Sequence, residues 1–191
     1  DSLLINDFEF RTASPFIDAP AGTQIKIDIA PSNSTSVSQS IATFNYTLTS
    51  GEKYVIVASG IVSSSGYSPA TPFDLHVFSS GREAAGTMGN SDVLVFHGST
   101  DAPVVDVYES SVPAGTIVDD LNYGMFSNGY LELNTADYII DIKDQTGSAT
   151  VASYSAPLAT LGLQDQALVV LASGYLDPSM NSNGDPFGLY V

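Results

Sequence analysis

Apolar and polar residues alternate along this chain with a period of two, not 3.6. Ile25, Ile27 and Ile29 are separated by Lys26 and Asp28, the signature of a strand with one face buried. Elsewhere the apolar residues gather in runs too short for a helix and rich in β-branched side chains. Residues 54–59 (YVIVAS), 93–96 (VLVF) and 168–171 (LVVL) are of this kind and predict buried strands. Residues 43–48 and 73–78 add two more. Near the start, residues 2–10 (SLLINDFEF) form a strand candidate with Phe8 and Phe10 on one face. Ser14-Pro15 breaks it, and Phe16-Ile17 restarts a short strand that ends at Pro20-Ala21-Gly22. Residues 31–40 and 60–71 read as loops and residues 50–52 as a turn. The pattern predicts an all-β protein.

The most organised stretch is residues 93–108, VLVFHGSTDAPVVDVY. It predicts a strand, a tight polar turn and a second strand, together a hairpin that opens a domain. Ser99, Thr100 and Asp101 can fold back onto their own backbone, and Pro103 holds Ala102 extended. Val104, Val105, Val107 and Tyr108 resume the strand around Asp106.

Much of the chain is read twice. Residues 54–60 (YVIVASG) return as 168–174 (LVVLASG), Pro72-Phe73-Asp74-Leu75 as Pro186-Phe187-Gly188-Leu189, and residues 6–10 as 119–123. The alternating Ile25, Ile27, Ile29 face returns as Tyr138, Ile140, Ile142. The offset is 113 between Phe8 and Leu121 and 114 between Val57 and Leu171. Ordered matches at a near-constant offset point to duplication. They divide the chain into a first repeat (1–80), a linker (81–91, no apolar period) and a second repeat (92–191). Leu3 aligns with Thr116, so the first repeat starts without the two strands that open the second. A longer chain is the first expectation from that gap, and a strand donated by a neighbouring chain is the second. Phe8, Leu121, Val57, Leu171, Phe73 and Phe187 should all be buried, as apolar positions of repeated strands.

Composition narrows the partners. Five Lys plus Arg stand against 21 Asp plus Glu, a net charge of −16. Such a surface repels nucleic acid and anionic lipid, and it suits a soluble exported protein, or one working in salt water where counter-ions screen the self-repulsion. No stretch reads as membrane-inserting. Cysteine is absent, which removes disulfides and thiolate metal sites.

Residues 95–108, with His97, Ser99, Asp101, Pro103 and Asp106 in place, resemble the signature of the domain-of-unknown-function 4397 family. Tyr130-Leu131-Glu132-Leu133 resembles the family's aromatic-plus-Leu strand, and residues 168–174 its later apolar strand ending in Gly. The second repeat departs from the family at Asn134-Thr135-Ala136, where the first keeps Pro20-Ala21-Gly22. The resemblance implies β-sandwich modules, often in tandem, on exported or surface-attached bacterial proteins. It implies no agreed activity. Two tandem antiparallel, Ig-like β-sandwiches are therefore expected, the first lacking its two N-terminal strands.

His97, Ser99 and Asp101 alternate, which invites a nucleophile–base–acid reading. Residues two apart on a strand stand about 7 Å apart, too far for a triad. Turn chemistry fits better, with His97 as a strand-end side chain bonded to the turn. Asp177, Asn181, Asn183 and Asp185 surround Gly184 with oxygen groups. They suit either calcium or a polar loop built of turn residues. His76 is the only other histidine and aligns with Tyr190, against a histidine metal site. Asn33-Ser34-Thr35 and Asn45-Tyr46-Thr47 fit the N-glycosylation pattern, and Asp1-Ser2-Leu3 resembles a bacterial O-glycosylation acceptor. Ten Tyr and nine Phe serve as core or as a sugar-stacking platform.

Together these features predict a non-catalytic extracellular or cell-surface module, structural or adhesive. Its expected partners are other protein chains or surface glycans, with a homo-oligomer or filament as one form of assembly. The alternative is a carbohydrate-binding module of a larger secreted protein.

Overall fold

Twelve strands account for the regular structure among the described residues, 3–63, 65–112 and 114–191, of the computed structural model. They are β1 (Gln24–Ile29), β2 (Ala42–Thr47), β3 (Tyr54–Ser59), β4 (Asp74–Ser79), β5 (Asn90–His97) and β6 (Val105–Glu109). Then come β7 (Gly115–Leu121), β8 (Leu131–Asn134), β9 (Asp137–Asp144), β10 (Thr150–Pro157), β11 (Ala167–Ser173) and β12 (Gly188–Tyr190). Two single 3-10 turns, Val37–Gln39 and Pro178–Met180, are the only helical elements among the described residues. The protein is all-β.

From β5 onward the chain builds a sandwich. One sheet has the order β10-β9-β6-β7 and the other β12-β11-β5-β8. Their inner faces meet in a core of Val93, Val95, Val105, Val107, Val118, Leu121, Tyr138, Ile140, Ile142 and Leu158. Alternation along β9 explains its share: Tyr138, Ile140 and Ile142 point inward, between Asp137, Ile139 and Asp141. All but one of the ladders between these strands are antiparallel. β11 runs parallel to β5, from Ala167 beside Asp92 to Ala172 beside His97. The chain reaches β11 from β10 in the other sheet, and such a crossover permits the parallel direction.

β5 and β6 do not form the expected hairpin, because they lie in opposite sheets. Residues 98–104 arch from one layer to the other. β5 is also buried on both faces. Val93 and Val95 enter the sandwich core, while Leu94 and Phe96, fully buried, point the other way. Phe96 stacks there with His76 of β4 and with Phe126, at ring-centroid distances of 5.2 and 4.7 Å. Burial on two faces is why the run is continuously apolar instead of alternating.

The first half is different. β1 pairs with β2, and β3 with β4, as two separate antiparallel hairpins. The strand candidates at 2–10 and 16–17 form no ladder; Ser2 lies outside the described residues. Asp7 and Arg11 adopt φ of 48° and 61°, which breaks an extended run. The segment that aligns with this run at an offset of 113, in β7, pairs only with β6, and among the described residues no strand pairs with residues 3–10. Phe8 is accordingly 52% exposed, against expectation. Leu121 is buried, and Val57, Leu171, Phe73 and Phe187 are half-buried.

Residues 81–91, expected as a linker, are tied to the sandwich. Asn90 and Ser91 already belong to β5. Arg82 forms ion pairs with Asp92, which is fully buried, and with Glu132 at 2.7 Å. The Gly86 amide also donates to Asp92 Oδ2, at 2.8 Å. A buried carboxylate needs such partners, and they fasten the segment to β5 and β8.

Candidate functional site

The polar signature of 97–106 lies where the sandwich meets the first half; His97, Ser99, Asp101 and Asp106 bond backbone or loop, while the buried Thr100 hydroxyl has no partner among the described residues. His97 is fully buried at the end of β5. Its Nε2 sits 3.0 Å from Pro103 O, closing the arch between the sheets, and its ring meets the edge of Tyr123. Burial, only partly offset by that carbonyl, holds the imidazole below the usual histidine pKa. Ser99 Oγ donates to Gly174 O at 2.7 Å and to Asp101 Oδ1 at 3.2 Å. Asp101 Oδ1 accepts from Leu176 N at 2.9 Å, and Oδ2 accepts from Asp177 N at 2.8 Å and Asn181 Nδ2 at 3.1 Å. Asp106 Oδ1 accepts from Asp120 N at 2.9 Å, stitching β6 to the end of β7. The His97 ring nitrogen that makes a bond makes it to Pro103, not Ser99.

The four residues of the calcium-loop expectation have different occupations. Asp177 caps the second 3-10 turn, accepting from Ser179 N and Ser179 Oγ at 3.0 and 2.6 Å. The hydroxyl contact with Ser179 draws its pKa below the ordinary aspartate value. Asn181, fully buried, donates from Nδ2 to Asp101 and to Asp177 O, while its Oδ1 accepts from Ser68 N at 3.0 Å. Asn183 takes the left-handed φ of 52°. Asp185 is largely exposed, 4.0 Å from Arg11 Nη1. Among the described residues no group of three or more metal-ligating acids or histidines gathers anywhere.

Ser68 belongs to the first half, so this loop also joins the two halves. Ser182 Oγ donates to Gly66 O at 2.8 Å, and Tyr67 packs on Tyr175 with ring centroids 6.0 Å apart. Residues 66–68 thus meet loop 174–186, the segment that aligns at an offset of 114 with 60–72.

The reciprocity extends further. Tyr123 OH lies 3.1 Å from Ser59 Oγ on β3, and a Cβ at Gly124 would stand 2.7 Å from the His76 ring on β4. Position 11, offset from Gly124 by 113, approaches β11 and β12 in a similar way. Arg11 Nε donates to Ser173 Oγ at 3.4 Å, and its guanidinium lies 3.7 Å from the Tyr190 ring centroid. Asp7 and Asp120 share φ of 48° and 49°. The Thr12 amide bonds Glu9 O as the Met125 amide bonds Asn122 O. Arg11, His76, Tyr123 and the Tyr67–Tyr175 pair were not singled out as a site by the sequence pattern. The repeat offset signals Arg11, His76 and Tyr123, which align with Gly124, Tyr190 and Phe10; Tyr67 and Tyr175, 108 positions apart, have no such signal.

Beside this junction runs a groove of about 680 Å³ between β4 and the β7 end of the sandwich. Asp119, Asp120, Asn122 and Asn128 supply its polar lining, and Phe78 and Phe126 its apolar wall. The two rings stack on each other at 5.5 Å and are half-buried. Comparison with family models, curated proteins and solved structures finds no match to this chain. None of the helical turns is long and apolar enough to cross a membrane.

Proposed function

We propose that this chain is a non-catalytic structural or adhesive module of an extracellular or bacterial cell-surface protein, made of two copies of one β-sandwich unit. The observation that carries this reading is the work done by the signature residues. Asp101 gathers Leu176, Asp177 and Asn181, and Asn181 in turn holds Ser68 of the other half. The most distinctive polar groups therefore hold the C-terminal loop in place, and through Asn181 that loop is tied to the other half, the kind of cohesion a structural surface protein requires. The duplication is supported by register. Val57 lies beside His76 and Leu171 beside Tyr190; Ile61 bridges Pro72 as Tyr175 bridges Pro186. Every partner in these pairs is displaced by 114. The net charge of −16 fits a protein surrounded by salt water. The resemblance to the 4397 family supports the same location and tandem use.

Carbohydrate binding is the competing reading, favoured by the polar groove with Phe78 and Phe126 in its wall. Because those rings face each other and neighbouring aromatics, they are poorly placed as a platform for a sugar. The test is to coat beads with the protein and follow clustering and adhesion to protein-coated and polysaccharide-coated surfaces. Clustering or protein adhesion that soluble glycans do not compete away supports the reading. Binding to polysaccharide alone would replace it with the glycan reading, and turnover of glycoside or ester substrates would overturn both.

A further inference from the structure

We infer that the first half is an acceptor for an extended strand–turn–strand segment with the β5–β6 pattern, which adds parallel to β3 and antiparallel to β1. The inference rests on the two-unit reading above, and the second half supplies the template.

There, β11 has β12 on one side and β5 on the other. Gln166 O accepts from Asp92 N, and Ala172 O from Gly98 N, so alternate residues from 166 to 172 turn their backbone toward β5. The corresponding residues are Glu52, Tyr54, Ile56 and Ala58. Among the described residues β3 has β4 as its only ladder partner, which leaves that second edge open. Side chains agree. Val170 packs against the sandwich core and Ala172 is 5% exposed, whereas Ile56 is 39% exposed and Ala58 is also exposed. The same holds on the other hairpin. Tyr138, Ile140 and Ile142 are buried against β6 and β5, while Ile25, Ile27 and Ile29 are only half-buried. β9 pairs with β6 as well as β10; β1 pairs with β2 alone. An unpaired edge flanked by uncovered apolar side chains is a template for strand addition.

Register and charge identify the occupant. Transferring the β5–β11 ladder places Val57 beside a residue of the Phe96 type and Lys53 beside one of the Asp92 type. Lys53 is half-exposed and holds only the exposed Glu83, at 3.3 Å, so it can receive that carboxylate. The occupant is thus an acid followed by a Val-Leu-Val-Phe-like run, a polar turn, and a Val-x-Val strand.

The experiment adds a peptide of residues 90–109, free or fused to a soluble carrier, to the intact protein. Docking should slow amide hydrogen exchange in both Tyr54–Ser59 and Gln24–Ile29. A photo-crosslinker at the Phe96 position should label the neighbourhood of Val57, not that of Lys53. Ile56→Lys should weaken docking about tenfold or more, while Ile139→Lys, on an exposed position of β9, should not. Unchanged exchange, equal protection by a scrambled peptide, or a crosslink near Lys53 would overturn the inference. Failure of docking with bead clustering intact removes the acceptor and leaves the adhesive reading. Docking without clustering does the reverse.

Discussion

Asn181 Nδ2 donates to Asp101 Oδ2 at 3.1 Å, joining side chains 80 positions apart in the chain. The bond is one of a set. Asn181 also holds Ser68 N and Asp177 O, and Asp101 also holds Leu176 N, Asp177 N and Ser99 Oγ. One amide and one carboxylate therefore connect the arch after β5, the C-terminal loop and the first half.

Asn181→Ala should consequently destabilise the protein by about 2–3 kcal/mol, since it removes a buried side chain that makes three hydrogen bonds and weakens the carboxylate's surroundings. Asp101→Ala should cost a similar amount. Because the two side chains share partners, the double variant should lose less than the sum of the single losses. Denaturant melts of the four proteins measure this. Full additivity would mean the two groups act independently.

How much of this was legible beforehand divides by the range of the interaction. Ile25, Ile27 and Ile29 announced β1, and YVIVAS announced β3, because a strand's alternation or burial is written in consecutive residues. The 93–96 run announced β5 but not its second buried face, which requires His76 and Phe126 from elsewhere in the chain. Residues 2–10 carry the composition of a strand, yet pairing needs a partner, and their left-handed turns at Asp7 and Arg11 leave Phe8 exposed. At the site, the strand-end place of His97 follows from its position between an apolar run and a turn, and its ring meets Pro103 O there. The reach of Asp101 to Asn181 had no local signal.

His97 gives a pH signature. Burial depresses its folded pKa below the ordinary value, so the unfolded chain binds the proton more readily. The stabilisation is complete above the unfolded pKa of ~6.5 and is lost as pH falls through that value toward the folded one. Asp137, Asp144 and Asp177, drawn down by hydrogen bonds, lose their contribution only in the lower window below ~4. Stability measured from pH 7.5 to 5 should therefore fall in the wild type and fall less steeply in His97→Gln. An identical slope in both would show that His97 is not the responsible group.

Gly60 and Gly174 test the equivalence of the two halves. They hold φ of 102° and 92°, and a Cβ on either would lie 2.3 Å from the carbonyl oxygen of Pro72 or Pro186. Alanine at each position combines left-handed strain with a backbone clash, for a loss of about 2–4 kcal/mol. Comparable losses at both sites are expected. If Gly60→Ala is tolerated while Gly174→Ala is not, the first half's hairpin is too loosely held to enforce the turn.

Arg11 anchors the otherwise ladder-free segment at the start of the chain. Its guanidinium lies over Tyr190 and Phe10, at 3.7 and 4.7 Å from the ring centroids, and Nη2 donates to Ser173 O and Pro186 O at 3.3 and 3.0 Å. The Arg11 side chain is only 15% exposed, so water competes weakly for these contacts. Losing them should release the segment by about 1–2 kcal/mol with little effect on the sandwich core. Arg11→Ala should therefore speed chymotryptic cleavage after Phe8, Phe10 and Phe16, while amide exchange in β9 and β5 stays slow. Arg11→Lys should recover only part of the protection, because an ammonium lacks the planar face that stacks on Tyr190. Cleavage at the wild-type rate in Arg11→Ala would show that the exposed apolar side chains of residues 3–17, not the guanidinium, hold the segment in place.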